Sequence, residues 1–326
     1  MTGQATETAV RHKATRLSVS MLRDAGILFG LLLIFVVFSL LSPYFLTEQN
    51  LINVLQQSSI NGCIAVGMTL VIIAGGIDLS VGSTASFAAV ASASLMVIGV
   101  PVPLAIVSAG LVGMGAGLIN GAMVAYAGLQ PFIVTLGTLS IFRALALIIT
   151  DGNPVFGLPA SFRSIFAAKL WILPVPVLLV VVVGAVAGFV LRRSPLGDYL
   201  LAVGGNEEAA RVAGVPIERT KIASYMISGG LASLGAMILM AWLGAADPTL
   251  GNLWELQAIA AAAIGGASLS GGRGSIIGTI LGAIILGTVT NGLTLLNVQA
   301  FYQLLATGVI IIVAMLIDRA TRGGSA

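Results

Sequence analysis

From Val102 to Thr150 the chain carries one charged side chain, Arg143. A surface helix of a soluble domain needs a polar face, and this stretch offers none. It divides at Gly128–Pro131 into two apolar segments, each long enough at 1.5 Å per residue to cross ~30 Å of hydrocarbon. The pattern recurs along the chain. Apolar segments at about 25–41, 51–75, 80–98, 102–128, 131–150, 170–191, 221–243, 257–270, 275–297 and 300–317 predict an all-α polytopic membrane protein with about ten transmembrane helices. Segments 80–98 and 131–150 are interrupted by small and polar residues. Segment 257–270 is shorter than the ~20 residues of a straight span, and predicts a re-entrant piece or one leaning on its neighbours.

Charge fixes the orientation. With the N-terminus inside, 12 of the 15 Lys and Arg fall on the inner side: Arg11, Lys13, Arg16, Arg23, Arg192, Arg193, Arg211, Arg219, Lys221, Arg273, Arg319 and Arg322. Such a bias is what the positive-inside rule requires, and the reverse orientation would invert it. Both termini are therefore expected in the cytoplasm. The domain organisation is a cytoplasmic tail 1–24, one membrane domain 25–318 with a cytoplasmic loop 192–220, and a second tail 319–326.

Only 8% of the residues are charged, against about 25% in soluble domains. The 41 glycines of 326 residues fit helices packed backbone to backbone in lipid. A net charge of +3 gives no footprint for nucleic acid. The single cysteine, Cys63, excludes an intramolecular disulfide and a cysteine zinc site, and His12 stands alone in the N-terminal tail. No Gly-rich P-loop is present, so the chain does not itself hydrolyse ATP by that route.

Against this background the stretch Arg192–Lys221 is a polar island, holding 9 of the 27 Lys, Arg, Asp and Glu residues. Ser194-Pro195 ends the helix before it. Asp198–Val203 is a short, mostly apolar run, which Gly204-Gly205 is expected to break. Asn206 suits an N-cap, with Glu207 and Glu208 at the positive end of the helix dipole. Gly214 suits the C′ position and Pro216 blocks continuation. The prediction is a two-turn helix over about 207–213, too short to persist without a surface to lie against. A docking surface uses all of these signals, whereas a plain connector needs none.

Two turns look alike. Gly75-Gly76-Ile77-Asp78-Leu79-Ser80-Val81-Gly82 is similar to Gly265-Gly266-Ala267-Ser268-Leu269-Ser270-Gly271-Gly272, and an Asn-Gly pair follows each, Asn120-Gly121 and Asn291-Gly292. Internal repeats are common in transporters.

Several stretches in one order carry a family resemblance. They are Gly76–Ser83, Pro131–Thr138, Ala202-Val203-Gly204-Gly205-Asn206-Glu207-Glu208-Ala209-Ala210-Arg211, Glu255–Ala260, Ile264-Gly265-Gly266 and Asn291-Gly292-Leu293. From about residue 25 to 317 the chain resembles the permease subunit of a bacterial ABC sugar importer of the ribose-transporter type. The resemblance implies an inner-membrane permease for a monosaccharide such as a ribose-like pentose, a hexose or a related polyol. It also implies a second permease copy, as homodimer or heterodimer, a cytoplasmic sugar-type ATPase, and a periplasmic or lipid-anchored sugar-binding protein. It implies no cofactor and no catalytic residue. Gly204, Gly205, Asn206, Glu207, Glu208, Ala209, Ala210, Arg211 and Gly214 become the candidate ATPase-coupling residues. Asp198 stands where relatives often carry a base, and Gln257 where they often carry an acid.

Polar residues within apolar runs are candidates for the translocation pathway or a gate: Asn61, Asp78, Ser80, Asn120, Arg143 and Asn291. Each has a structural alternative. Asp78 either pairs with Arg273 or caps the following helix with help from Ser80. Arg143, about 18 Å along its segment, either snorkels, bonds internally or meets substrate. The three asparagines either join helices or line the pathway. A stand-alone ion-coupled transporter would need intramembrane acids, and Asp78 alone approaches that. An intramembrane enzyme would need paired catalytic groups, which are missing.

Overall fold

The computed structural model describes residues 26–322; the predicted tail 1–24 and the final residues of the predicted tail 319–326 lie outside them. The described chain is a helical bundle. Its first half contains α1 (Gly26–Leu41), α2 (Glu48–Ile73), α3 (Val81–Val97), α4 (Val102–Ala125), α5 (Pro131–Thr150) and α6 (Ala160–Ala167). A two-residue hairpin, β1 (Lys169–Leu170) and β2 (Leu173–Pro174), leads into α7 (Val175–Arg193). The island holds α8 (Pro195–Gly205) and α9 (Glu207–Val212). Then come α10 (Ile217–Leu243), α11 (Trp254–Ile264), α12 (Ile276–Leu295) and α13 (Ala300–Arg322).

Six of these, α2, α4, α5, α7, α10 and α12, are long and apolar enough to cross a membrane. Shorter apolar helices, α1, α3, α11 and the first part of α13, occupy the remaining predicted segments. The segment expected from residue 170 starts later, at Val175, because the hairpin takes up 169–174, with Trp171 in the left-handed region at φ 63°.

The core lies around α2, whose residues 62–73 are all buried. Small residues explain how its neighbours come so close. A side chain on Gly67 would strike the backbone of Ser228 in α10, and Gly113 of α4 faces Gly229 of α10 with no room for a Cβ on either. The outer faces are apolar and exposed, among them Phe29, Leu40, Leu111, Phe132, Val181 and Phe189. Lipid or further protein must cover such a surface.

Between α10 and α11 the chain runs through a series of turns before a short helix. α11 runs only about 16 Å at 1.5 Å per residue, and the segment 245–253 before it is not helical. The short predicted segment 257–270 is helical only as far as Ile264, so the path from α10 to α11 is broken into turns and a short helix.

Candidate functional site

The island is built by capping. Ser194 is extended (φ −119°, ψ 152°), so it closes α7, and its hydroxyl accepts the Gly197 N–H at 3.4 Å to start α8. The expected break at Gly204-Gly205 is corrected: α8 runs through both glycines, and the chain turns at Asn206 (φ −160°, ψ 105°). Asn206 Oδ1 accepts the Ala209 N–H at 2.9 Å, the predicted N-cap. At the other end Gly214 adopts φ 79°, its N–H donates to the Arg211 carbonyl at 3.1 Å, and the Val215 N–H donates to the Ala210 carbonyl at 3.0 Å. These are the two bonds of a Schellman C-cap.

Beneath α9, Ala210 packs with Val203 and Ile217. Above that seam, Arg211 bonds Glu207 at 3.3 Å and Glu218 at 3.2 Å, and Lys221 bonds Glu207 at 2.7 Å. Glu207 and Arg211 therefore fasten α9 to α10. Glu208 is in none of these pairs, and it is exposed along with Ala209 and Val212. Val212 is 92% exposed. Sequence reasoning passed over Val212, although its position four residues after Glu208 and three after Ala209 places all three on one helical face.

Gly204 fills the angle between the two similar turns. A Cβ on it would run into the Ile73 carbonyl and the Gly272 backbone nitrogen, and Gly271 lies against it as well. The turns are alike in detail. α2 ends with the Gly75 N–H donating to Ile72 and the Gly76 N–H to Val71, both at 2.9 Å; α11 ends with Gly266 donating to Ala263 at 2.9 Å and Ala267 to Ala262 at 2.8 Å. Gly75 and Gly266 share φ 83°. The structural match pairs Gly75 with Gly266, one residue away from the sequence alignment of Gly75 with Gly265. The likeness stops there: Asn120 lies near the island end of α4, and Asn291 near the far end of α12.

Asp78 follows the first turn and is fully buried. Its Oδ1 accepts the Ser80 N–H at 3.0 Å and the Ser80 hydroxyl at 2.7 Å, and its Oδ2 accepts the Ser228 hydroxyl at 3.2 Å. Asn120 donates to Ser80 Oγ at 2.7 Å. Thr135 and Tyr225 donate to the Ile77 carbonyl at 3.2 and 3.4 Å. The cluster locks the entry of α3 to α4, α5 and α10. Exposed Arg273 is not among these partners, so the pairing alternative is corrected. Ser80 does not cap α3 with its side chain: its hydroxyl donates to Asp78 and its oxygen accepts from Asn120.

Arg143 turns inward, to backbone. Its Nη1 donates to the Pro248 carbonyl at 2.7 Å and the Leu250 carbonyl at 2.9 Å. Ser86 of α3 also donates to Pro248, at 2.6 Å, and Gly251 lies against Gly82. Asp247 Oδ1 accepts both the N–H and the hydroxyl of Thr249 at 2.7 Å. Non-helical backbone inside a membrane must find its partners in protein or water, and these bonds supply several.

The remaining candidates lie apart. Asn61 is half-buried on α2, and Asn291 donates to Asn50 at 3.0 Å, joining the far ends of α12 and α2. At that far end a cavity of about 380 Å³ lies between α2, α6, α7 and α10, with Gln56, Arg163, Ser164 and Trp242 in its lining. Among the described residues no group of three His, Cys, Asp or Glu is placed to hold a metal ion.

The sequence profile described as branched-chain amino acid transport system / permease component matches residues 50–315. The chain is 42% identical over 300 residues to the ribose import permease protein of Bacillus subtilis (strain 168), covering 91% of this chain and 93% of that protein. It is 41% identical to the D-allose transport system permease protein of Escherichia coli (strain K12), covering 90% and 91%. It is 34% identical to the xylose transport system permease protein of the same strain, covering 85% and 86%.

Proposed function

Because the chain belongs to the branched-chain amino acid transport system / permease component family, we infer that it is the permease subunit of a bacterial ABC importer for a monosaccharide. It is a multi-pass protein of the inner membrane, and it works with an ATPase and a binding protein. The observation that carries the sugar assignment is the near end-to-end match to permeases for ribose, allose and xylose.

Ten spans carry both termini to the cytoplasm, and the island end faces the cytoplasm. A sugar-type ATPase docks there on the face of α9 formed by Glu208, Ala209 and Val212, while Glu207 and Arg211 hold that helix to α10. A periplasmic or lipid-anchored sugar-binding protein delivers cargo at the far end, and a second permease copy completes the transporter. Movement of α9 on ATP binding would press through Gly204 on the end of α2 and on the turn between α11 and α12 together. The motion therefore has a short backbone route into the bundle. The capped, ion-paired geometry of α9 supports this, since a lever must be stiff relative to the load it moves.

The test is reconstitution in vesicles with the companion ATPase and binding protein, measuring uptake of D-ribose, D-allose, D-xylose and L-leucine. ATP-dependent uptake of one of the sugars is expected. Uptake of leucine alone, or uptake driven by an ion gradient without ATP, would overturn the reading.

A further inference from the structure

The broken descent from α10 to α11 lies deep in the bundle. Asp78 is bonded to Ser228, about 16 Å from the Ile217 end of α10, whose full length is about 40 Å. Gly82, a short way along the chain from Asp78, is the residue against which Gly251 rests. Arg143, which holds Pro248 and Leu250, lies about 18 Å along α5 from Pro131. Two routes, one through α10 and α3 and one through α5, thus place residues 248–251 well within the length of the spanning helices.

At that depth the stretch presents polar side chains to its surroundings. Thr249 and Asn252 are exposed, and Glu255, a charge neighbour of Arg143, is only half-buried. Exposed amides, hydroxyls and carboxylates are not stable against hydrocarbon. Polar residues at this depth face the bundle interior or a water-filled cavity, and irregular backbone is tolerated under the same condition. These side chains are not packed within this chain's bundle, and a water-filled path, bounded on its other side by the second permease copy, accommodates them.

The pathway candidates named from sequence behave differently. Asp78, Ser80, Asn120 and Asn291 are buried in this structure, whereas Thr249 and Asn252 are exposed.

We propose that the non-helical stretch 245–253 lines the sugar pathway, with Thr249 and Asn252 meeting the hydroxyls of the passing sugar and Arg143 holding the stretch in place. The proposal rests on the monosaccharide-importer reading and deepens it. Neutral donors and acceptors suit a polyhydroxylated, uncharged cargo, because they exchange water for sugar hydroxyls without stripping a charge. Thr249 keeps acceptor capacity on its oxygen after donating to Asp247, and the Asn252 amide offers both donors and an acceptor.

The test uses Thr249→Cys and Asn252→Cys in the transporter assembled with its ATPase and binding protein in vesicles. Both side chains are exposed, so the substitutions remove no core packing. The native Cys63 is buried and gives the unlabelled background. The probe is a charged, water-soluble methanethiosulfonate, and Leu111→Cys on the exposed apolar face of α4 is the control. Labelling at 249 and 252 is expected at least tenfold faster than at 111, with loss of at least nine-tenths of ATP-driven uptake of whichever of D-ribose, D-allose or D-xylose the native chain carries. Labelling no faster than at 111, or fast labelling that leaves uptake intact, overturns the proposal. If the native chain carries none of these sugars, the cargo assignment fails instead, while the labelling rates still report whether the stretch faces water.

Discussion

Gly272 donates its backbone N–H to the carbonyl of Ile73 at 2.9 Å, and Gly204 lies in the corner that this bond makes. The end of α2, the turn between α11 and α12 and the helix α8 therefore share one backbone junction. A side chain on Gly204 would collide with Ile73 and Gly272, while a side chain on Gly205 would meet nothing within 4 Å. Gly204→Ala is expected to destabilise the protein by about 1–3 kcal/mol, the usual range for overpacking, and to reduce uptake. Gly205→Ala should stay within about 0.5 kcal/mol. Thermal unfolding of the two purified variants, with uptake measured in vesicles, checks the contrast. Equal behaviour would remove the junction from the account.

The N-cap gives a second expectation. Asn206→Ala removes the acceptor for the Ala209 N–H and should cost α9 about 1 kcal/mol, whereas Asn206→Asp should keep the cap. Hydrogen exchange over 207–213 reads this directly, with faster exchange in the alanine variant confined to that segment. Unchanged protection would mean that the ion pairs and the apolar seam hold α9 without the cap.

Much of the island was legible in the sequence because capping is local chemistry: Asn206, Gly214 and Pro216 act within a few residues of themselves. The course of α8 through Gly204-Gly205 was not legible. What those glycines answer to is the Ile73 carbonyl and Gly272, far away in the chain. The same holds for Arg143. Its place on an apolar segment was evident, but its partners Pro248 and Leu250 belong to a segment that reads as an ordinary outer loop until its depth is known. The ten apolar segments were clear from composition, and six of the helices found are long enough to cross a membrane alone. The non-helical stretch 245–253 was not legible, because the groups that hold it, Arg143, Ser86 and Gly82, lie far away in the chain.

Arg143 carries a third expectation. Arg143→Ala leaves two buried carbonyls without their charged donor, at a cost of about 1.5–3 kcal/mol for each bond lost. Arg143→Lys keeps the charge but not the planar fork, so partial recovery is expected. Thermal unfolding should order the proteins as native, lysine, then alanine. An alanine variant as stable as the native chain would show that Arg143 does not support the stretch.

The outward face of α9 gives a fourth. Glu208→Lys with Val212→Asp touches none of the ion pairs that fasten α9, so the permease should fold and insert normally. Uptake should fall at least tenfold, with weakened copurification of the ATPase. Arg211→Glu, in contrast, would also break the bonds to Glu207 and Glu218 and lower stability, which separates docking from internal support. Full uptake in the double variant would move the docking site elsewhere.

The most direct measurement places a photo-crosslinking amino acid at Val212, 92% exposed on α9, in the intact transporter. The account predicts a single covalent adduct between this chain and the ATPase subunit, strengthened or weakened by ATP. Adducts with lipid or with the binding protein, and none with the ATPase, would contradict it.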